Sequence, residues 1–504
     1  MSERHGHLLR GLTSVNRSML FQGKFGRMFR FLRAATFGRD EAENIKNLTL
    51  LGAKMSADFD APKDGKDDEE SGIPALYTYL GQFIDHDVTF DPASSLQKQN
   101  DPDALTDFRT PALDLDNIYG RGPDDQPYLY DGPNLFLLGK AITGGSDPHA
   151  TDLPRNGATV ARALIGDPRN DENMIISQLQ GLFLRFHNRV VADHPNLAFP
   201  QVQQLVRFHY QYVVANDFLP RIVHSSVIAA LKEHGRYDAG KIRFFHWRHD
   251  PFMPVEFSVA AYRLGHSMVR PGYRLNDAIL RPIFPVADQG LPEGLTGFRA
   301  LDPNAGMDWG RFIDVDKRAY DGSEADNEKR LQFAYRIDTS LVNPLANLPP
   351  AVATNPASLA ARNLLRGFRL GLPSGQQVSA AMGIRPLEDK DILIGKATGN
   401  AGEAVPISDK SLGLPPVFKG NCPLWTYILA EAIRNQEDVR IPVNEDIHIK
   451  TPRLGPVGGR IVAEVILGLL FGDRTSFFTV DPHWVPAGGP IYTLRDFVNY
   501  ALGN

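Results

Sequence analysis

Residues Leu80–Phe90, LGQFIDHDVTF, decide how the rest of this chain is read. A glutamine, a histidine and two aspartates stand within six residues of otherwise apolar sequence. Helical spacing puts Gln82 and His86 on one face, one turn apart, and sends Asp85 and Asp87 away from the histidine in two different directions. Burying such groups beside Leu80, Phe83, Ile84 and Val88 is costly unless each finds a partner. The partners that suggest themselves are a metal ion, a reacting substrate or a covalent attachment. Taken alone, an Asp-His-Asp triplet is more often a solvated helix end with a surface histidine, because short motifs match by chance. The segments downstream reverse that preference.

The nearest is Thr110–Gly122, TPALDLDNIYGRG. Thr110, Asp114 and Asp116 alternate with apolar or small residues. Oxygen ligands can therefore converge from a tight loop in the mixture of carboxylate, hydroxyl and backbone carbonyl that calcium takes. Asp-rich loops are usually only turns; together with Asp87 this one becomes a two-segment calcium site. Gly166–Asp193 opens with turn residues and acids, then repeats Ile176, Leu179, Leu182, Phe183, Phe186 and Val190 at helical spacing, which predicts a long buried helix. Arg169 and Glu172 stand at its mouth, where capping and a local ion pair are the plain reading. His187 and Asn188 lie deeper and read as structural hydrogen-bonders. Gln201–Val223 is a second amphipathic helical segment.

Val255–Arg270, VEFSVAAYRLGHSMVR, reads as another apolar helix with Arg263 and a single histidine, His266, which by itself is more often a satisfied core residue than a ligand. Asn276–Asp326 is mostly loop. Leu359–Leu372 is helical, with Asn363 and Arg366 on neighbouring turns. Pro423–Ile433 and Gly458–Phe471 are two further apolar helices, and the paired glycines of the latter permit close backbone packing. Upstream of the central helix, Asp60–Ser71 (containing DGKDDEES) reads as an acidic solvated loop. Pro92–Asp107 is polar and irregular. Residues 1–58 are basic and rich in aromatics, and are expected to wrap over the body, with a membrane-surface or partner-binding arm as the alternative. There is no internal repeat, no nucleotide-cradling glycine loop after a strand and no alternation of strands. The fold class is mainly α with little β, divided into an N-terminal extension over residues 1–72 and a catalytic domain over 73–504.

The 504 residues are 42% hydrophobic and 22% charged with a formal net charge of -5, which gives no electrostatic case for nucleic acid or an anionic membrane. The single cysteine, Cys422, rules out an intrachain disulfide and favours a reducing compartment. No stretch approaches the roughly 18 apolar residues of a membrane span, and the basic N-terminus lacks the apolar core of a secretory signal. The expectation is a cytoplasmic or non-classically exported protein with no transmembrane segment.

From about Pro74 to near the C-terminus, the order of these segments resembles the animal-type heme peroxidases of the peroxidase–cyclooxygenase superfamily, in a bacterial-looking form. The family's Gly-Gln-x-x-Asp-His-Asp is matched by Gly81, Gln82, Asp85, His86 and Asp87. Its Thr-x-x-x-Asp calcium loop is matched by Thr110 and Asp114, with Asp116 where serine is common. Its Arg-x-x-Glu before a later His-Asn-Arg is matched by Arg169, Glu172 and residues 187–189. Its Arg-x-Gly-His is matched by Arg263, Gly265 and His266, and its Asn-x-x-Arg before Gly-Leu-Pro by Asn363, Arg366 and residues 371–373.

The resemblance implies heme b, with His266 as the proximal iron ligand and Asn363 accepting a hydrogen bond from its other ring nitrogen. It implies His86 as the distal base, Arg169 as the stabiliser of developing negative charge, and Gln82 as the holder of a distal water or halide. Arg263 and Arg366 would meet the propionates. Asp85 and Glu172 match the carboxylates that form ester bonds to heme methyl groups. Asn173 stands where one member has a methionine making a sulfonium link, so no such link is expected. Calcium would be held by Asp87, Thr110, the carbonyl of Ala112, Asp114 and Asp116. The implied activity is two-electron reduction of hydrogen peroxide through a high-valent iron-oxo intermediate, followed by oxidation of halide, thiocyanate or a small aromatic donor. A fatty-acid dioxygenase of the same superfamily is the alternative; it needs a radical tyrosine close before the proximal histidine, and Tyr262 is displaced by one residue from that place. A non-catalytic adhesion or scaffold protein is the alternative of another class.

Overall fold

The computed structural model describes residues 23–90, 106–107, 109–318, 329–350, 352–353, 355–442 and 446–503. Among them, eight helices have nine residues or more. These are α1 (Glu41–Lys54), α2 (Leu76–Val88), α3 (Met174–Asp193), α4 (Phe199–Val213), α5 (Leu359–Arg369), α6 (Leu424–Arg434), α7 (Pro456–Gly472) and α8 (Leu494–Leu502). The strands are short and form small sheets, the longest being a hairpin of Gln436–Arg440 with His448–Pro452. The mainly helical fold class is the observed one. No described helix is long and apolar enough to cross a membrane.

The centre of the molecule is α2 packed on α3. Asn173 caps α3, its side chain accepting from the Ile175 and Ile176 N–H groups, and every residue from Met174 to Leu184 is buried, so the first turns of the helix are enclosed on all sides. Phe83 of α2 stacks on Phe183 of α3 with centroids 4.3 Å apart, and Phe186 stacks on Phe497 of α8 at 3.9 Å. Such ring pairs contribute about 0.5–1.5 kcal/mol beyond their burial. His187 and Asn188 are structural, as expected: His187 bonds the Tyr119 hydroxyl and the Asn134 carbonyl, and Asn188 bonds the Phe136 backbone. The glycines of α7 do allow close approach, since a Cβ on Gly458 would lie 2.5 Å from Ile428 Cγ2 of α6.

Three segments depart from the expectations. Val255–Arg270 is not a regular helix. It is a π-helical turn, Glu256–Ala260, followed by a 3-10 turn, Ala261–His266. The winding changes at Ala260 (φ -124°, ψ -74°), and the Ser258 carbonyl accepts from the Arg263 side chain. Glu256, wholly buried, accepts the N–H groups of Met28 and Phe29, so this segment is shaped by partners remote in sequence. The second helical segment, Gln201–Val223, likewise contains a π-helical turn, Val214–Phe218, in which Asp217 accepts from the Tyr77 hydroxyl and the Leu494 N–H. The third departure is Asp60–Ser71, whose later half is not a solvated loop. Glu70–Pro74 is a buried strand paired with Phe333–Tyr335, and Glu70 is gripped by Arg270 and Arg330. The polar stretch Pro92–Asp107 lies outside the described residues except for its last two, which pair with Gly23 and Lys24.

Candidate active site

The last two turns of α2 deliver Gln82, Asp85 and His86 to a cavity of ≈ 390 Å³. Arg169 and Glu172 reach the same cavity from the turn before α3, Arg263 and His266 from the 3-10 turn, and Asn363 and Arg366 from α5. Nine residues named from separate stretches of sequence therefore line one space.

His86 is buried, and its Nδ1 lies 2.7 Å from Asn170 Oδ1; Asn170 Nδ2 in turn donates to Gln180 Oε1 at 2.7 Å. Burial, then the neighbouring Arg169 charge, lowers the imidazole to about 4, so it is uncharged at neutral pH. Arg169 does not pair with Glu172, which corrects the plain sequence reading. Its Nε and Nη2 meet Asp167, and Nη2 also donates to the His86 and Thr89 carbonyls at 3.0 and 2.6 Å. The arginine thus satisfies carbonyls at the C-terminal end of α2, where helix groups lack internal partners. Asp167 is shared with Arg109. Burial works to raise its carboxyl, but the two guanidiniums hold it well below the usual range.

The two carboxylates facing the cavity differ. Glu172 accepts from Gln82 Nε2 at 3.2 Å, and burial raises it to about 7. Asp85 accepts from the Thr89 hydroxyl and from Arg263 Nη1 (3.3 Å); burial works against its charge, yet Arg263 and the other positive neighbours bring it below its ordinary value. Gln82 is itself held, because its Oε1 accepts from Asn173. On the opposite wall His266 is lowered to about 3, by burial first and Arg263 second. Asn363 does reach it, but with the other end of its amide from the one expected: Nδ2 lies 2.8 Å from His266 Nδ1. A half-turn of the amide about its Cβ–Cγ bond exchanges the oxygen and the nitrogen at that contact.

On the far side of α2 from the cavity, the carboxylates of Asp87, Asp114 and Asp116 have oxygens within 4.8 Å of one another. Both Asp87 oxygens and Asp116 Oδ1 are buried without a hydrogen bond; the Leu115 N–H and the Tyr210 hydroxyl approach Asp87 outside bonding geometry. Burial raises all three carboxyls; repulsion from Asp114 and Asp116 adds to it at Asp87, from Asp473 at Asp114, and from Asp114 at Asp116, which reaches about 8 although Arg109 lies 3.4 Å away. Buried, unsatisfied carboxylates in a cluster are costly by themselves and suit a hard cation. Thr110 and Ala112 lie in the loop leading to Asp114, with the Thr110 carbonyl taking the Ala112 N–H. Sequence reading missed Asn170, Gln180, Asp167 and Arg109, which carry no local pattern; the one hint was a buried glutamine on the apolar α3.

The helical fold encloses a cavity with the buried His86 on one wall and the half-buried His266 on the other, a peroxidase-type architecture. A model of the animal haem peroxidase family matches residues 96–398, more than half of the sequence, and the chain belongs to that family. It is similar to thyroid peroxidase of Canis lupus familiaris, 25% identical over 236 residues, which are 42% of this chain and 24% of that protein. It is also similar to the human peroxidasin homolog, 25% identical over 288 residues, 52% of this chain and 18% of the other. The match spans about a quarter or less of these relatives' length. Among solved structures, peroxidase A of Dictyostelium discoideum aligns with a TM-score of 0.59 at 16% identity, over 96% of this chain and 94% of that one. The Oryza sativa fatty acid alpha-dioxygenase aligns with a TM-score of 0.51 at 14% identity, over 94% and 79%. At these identities the likeness is one of fold.

Proposed function

We propose that this chain is a heme peroxidase that reduces hydrogen peroxide and oxidises halide, thiocyanate or a small aromatic donor. The observation that carries the reading is the cavity of ≈ 390 Å³ faced by the buried His86 and the half-buried His266, both held uncharged, with an arginine and a glutamine beside His86. Bound heme would supply the redox-active iron at which peroxide is reduced and from which donors are oxidised.

His266 is the residue to hold that iron through Nε2. Its Nδ1 then carries a proton, and Asn363 must present Oδ1 to accept it, which is the turned form of the amide; that bond orients the ring and raises its basicity. His86 accepts a proton from peroxide and returns it to the departing oxygen. Arg169 stabilises the negative charge that develops there, and Gln82 holds a water or halide near His86. Arg366 and Arg263 meet the propionates, where a planar guanidinium grips a carboxylate in two places; Arg263 would turn from Asp85 to do so. Asp85 and Glu172 would be the carboxylates that anchor heme through ester links at its methyl groups. Residues 73–504 are read as the catalytic unit and 1–72 as an extension, of which 1–22 lie outside the described residues and 23–72 are read as wrapped on the unit. Supporting that wrap, Arg27 donates to the Leu370 and Gly371 carbonyls and Glu41 pairs with Arg369.

The test is the absorption spectrum of the purified protein before and after stoichiometric peroxide. A Soret band that changes with peroxide and returns on adding iodide or a phenol is expected, with heme retained by the protein through acid–acetone extraction. Heme freed in full by that extraction would remove the ester links and leave the peroxidase reading standing. A heme band indifferent to peroxide would overturn the reading. If that band answered to an unsaturated fatty acid it would favour a dioxygenase, for which the buried Tyr262 hydroxyl on the cavity wall, without a hydrogen-bond partner, is the supporting observation. No heme band even after reconstitution would favour a scaffold.

Calcium is proposed to bind Asp87, Asp114 and Asp116, with the Thr110 hydroxyl and the Ala112 carbonyl completing the shell. Saturating calcium at about 100 times its dissociation constant should stabilise the fold by about 2.7 kcal/mol, read as a rise in Tm against a chelator control. Asp87→Ala should abolish the rise. An equal rise in the variant would place the ion elsewhere.

A further inference from the structure

We infer that Asn170 is a positioning residue that fixes which nitrogen of His86 carries the proton. The inference rests on the peroxidase reading of this cavity and goes beyond it, because it concerns how the base is kept ready rather than which residue is the base. A neutral imidazole has one N–H and one bare nitrogen, and its partners select which is which. Here the selection comes from a buried row of three side chains. His86 Nδ1 faces Asn170 Oδ1 at 2.7 Å, and Asn170 Nδ2 faces Gln180 Oε1 at 2.7 Å. Both amides are wholly buried from bulk solvent, and Gln180 Nε2 has no hydrogen-bond partner. With the Asn170 N–H group committed to Gln180, its oxygen is the atom left for His86, and Nδ1 must donate. Nε2 is then the bare nitrogen, and His86 lines the cavity. The opposite arrangement, with both amides reversed, would put the proton on Nε2 and leave no base there. The two amides of the row come from different elements, Asn170 from the turn before α3 and Gln180 from within it.

The test compares Asn170→Leu and Asn170→Asp with the parent protein, each loaded with heme and calcium. Two readouts are taken. One is the second-order rate constant with hydrogen peroxide, set against the rate of donor oxidation. The other is the tautomer of His86, read by nitrogen NMR on protein labelled at histidine, in the diamagnetic ferrous carbon monoxide form, with the His86 signals assigned by their loss in His86→Gln. The parent should show the proton on Nδ1. Asn170→Leu should lose that preference and react with peroxide about 10–100-fold more slowly, the scale of losing a residue that orients an active group, while donor oxidation is unchanged. Asn170→Asp, which when ionised can only accept, should recover the Nδ1 proton and most of the rate. A leucine variant that lost heme or its thermal midpoint would be set aside in favour of the aspartate variant and the parent tautomer, which still decide the matter. A proton on Nε2 in the parent overturns the inference, as does a leucine variant with unaltered tautomer and peroxide rate. If the parent shows no reaction with peroxide, it is the peroxidase reading that fails.

Discussion

Replacing His86 with alanine should lower the second-order rate constant with hydrogen peroxide by about 10²–10⁴-fold, the range for losing a positioned general acid–base group. The argument is one of charge state and place. His86 is buried beside Arg169, and the two effects together bring it down to about 4, so it enters the reaction as an uncharged acceptor. Among the described residues, nothing else facing that part of the cavity can replace it. Asp85 accepts from the Thr89 hydroxyl and is the proposed partner of a heme methyl group in the loaded protein. Glu172, raised to about 7 by burial, is partly protonated at neutral pH and tied to Gln82. Heme content should be unchanged, since the ligand proposed for iron is His266 on the opposite wall. Stopped-flow measurement of the peroxide-induced Soret change separates the two effects. A loss below tenfold with heme retained would mean that the proton is moved by another group, and His86 would be reduced to a packing residue.

Much of this site was legible in the sequence through the order of motifs shared with the animal-type heme peroxidases; Gln82, Asp85, His86, Asn363 and Arg366 stand on helices, while Arg169, Glu172, Arg263 and His266 come from 3-10 turns. The run from Ile176 to Val190 located α3, and the apolar frame of Leu80, Phe83, Ile84 and Val88 made the polar residues of α2 conspicuous. What the spacing could not give were pairings across the fold. Asp167, two residues from Arg169, takes a second arginine from position 109, so the local ion pair with Glu172 was the wrong partner. The break in the segment before His266 has a similar cause: apolar periodicity predicts a helix, and the buried Glu256 is claimed by backbone N–H groups more than two hundred residues upstream. The amide of Asn363 was placed correctly and oriented oppositely, because an amide offers a donor and an acceptor on nearly the same shape.

The acidic run DGKDDEES shows the same limit most sharply, and it carries the second large effect. Glu70→Ala should destabilise the protein by about 3–5 kcal/mol, the cost of breaking a buried ion pair from one side. Glu70 is 1% exposed. Its Oε1 takes Arg270 Nη1 at 2.7 Å and Arg330 Nη1 at 2.8 Å, and its Oε2 takes Arg330 Nη2 at 2.6 Å. Both arginines are themselves nearly inaccessible, so removing the carboxylate leaves two guanidiniums in a medium that cannot solvate them. The loss comes from that stranded charge rather than from any large intrinsic worth of the pairing, and the distinction can be measured. Replacing Glu70, Arg270 and Arg330 together by apolar residues of similar volume should restore most of the stability. Asp68→Ala, at an exposed position two residues away, should change it by no more than about 0.5 kcal/mol. Urea unfolding of the four proteins reads all of this from the midpoints. If Glu70→Ala and Asp68→Ala cost the same, the strand at Glu70–Pro74 is not held by its arginines and the solvated-loop reading of the acidic run returns. If the single variant is costly and the triple is not, then the charge composition of this run conceals a buried anchor that joins the start of α2, and so the placement of His86, to residues two hundred and more positions further along the chain.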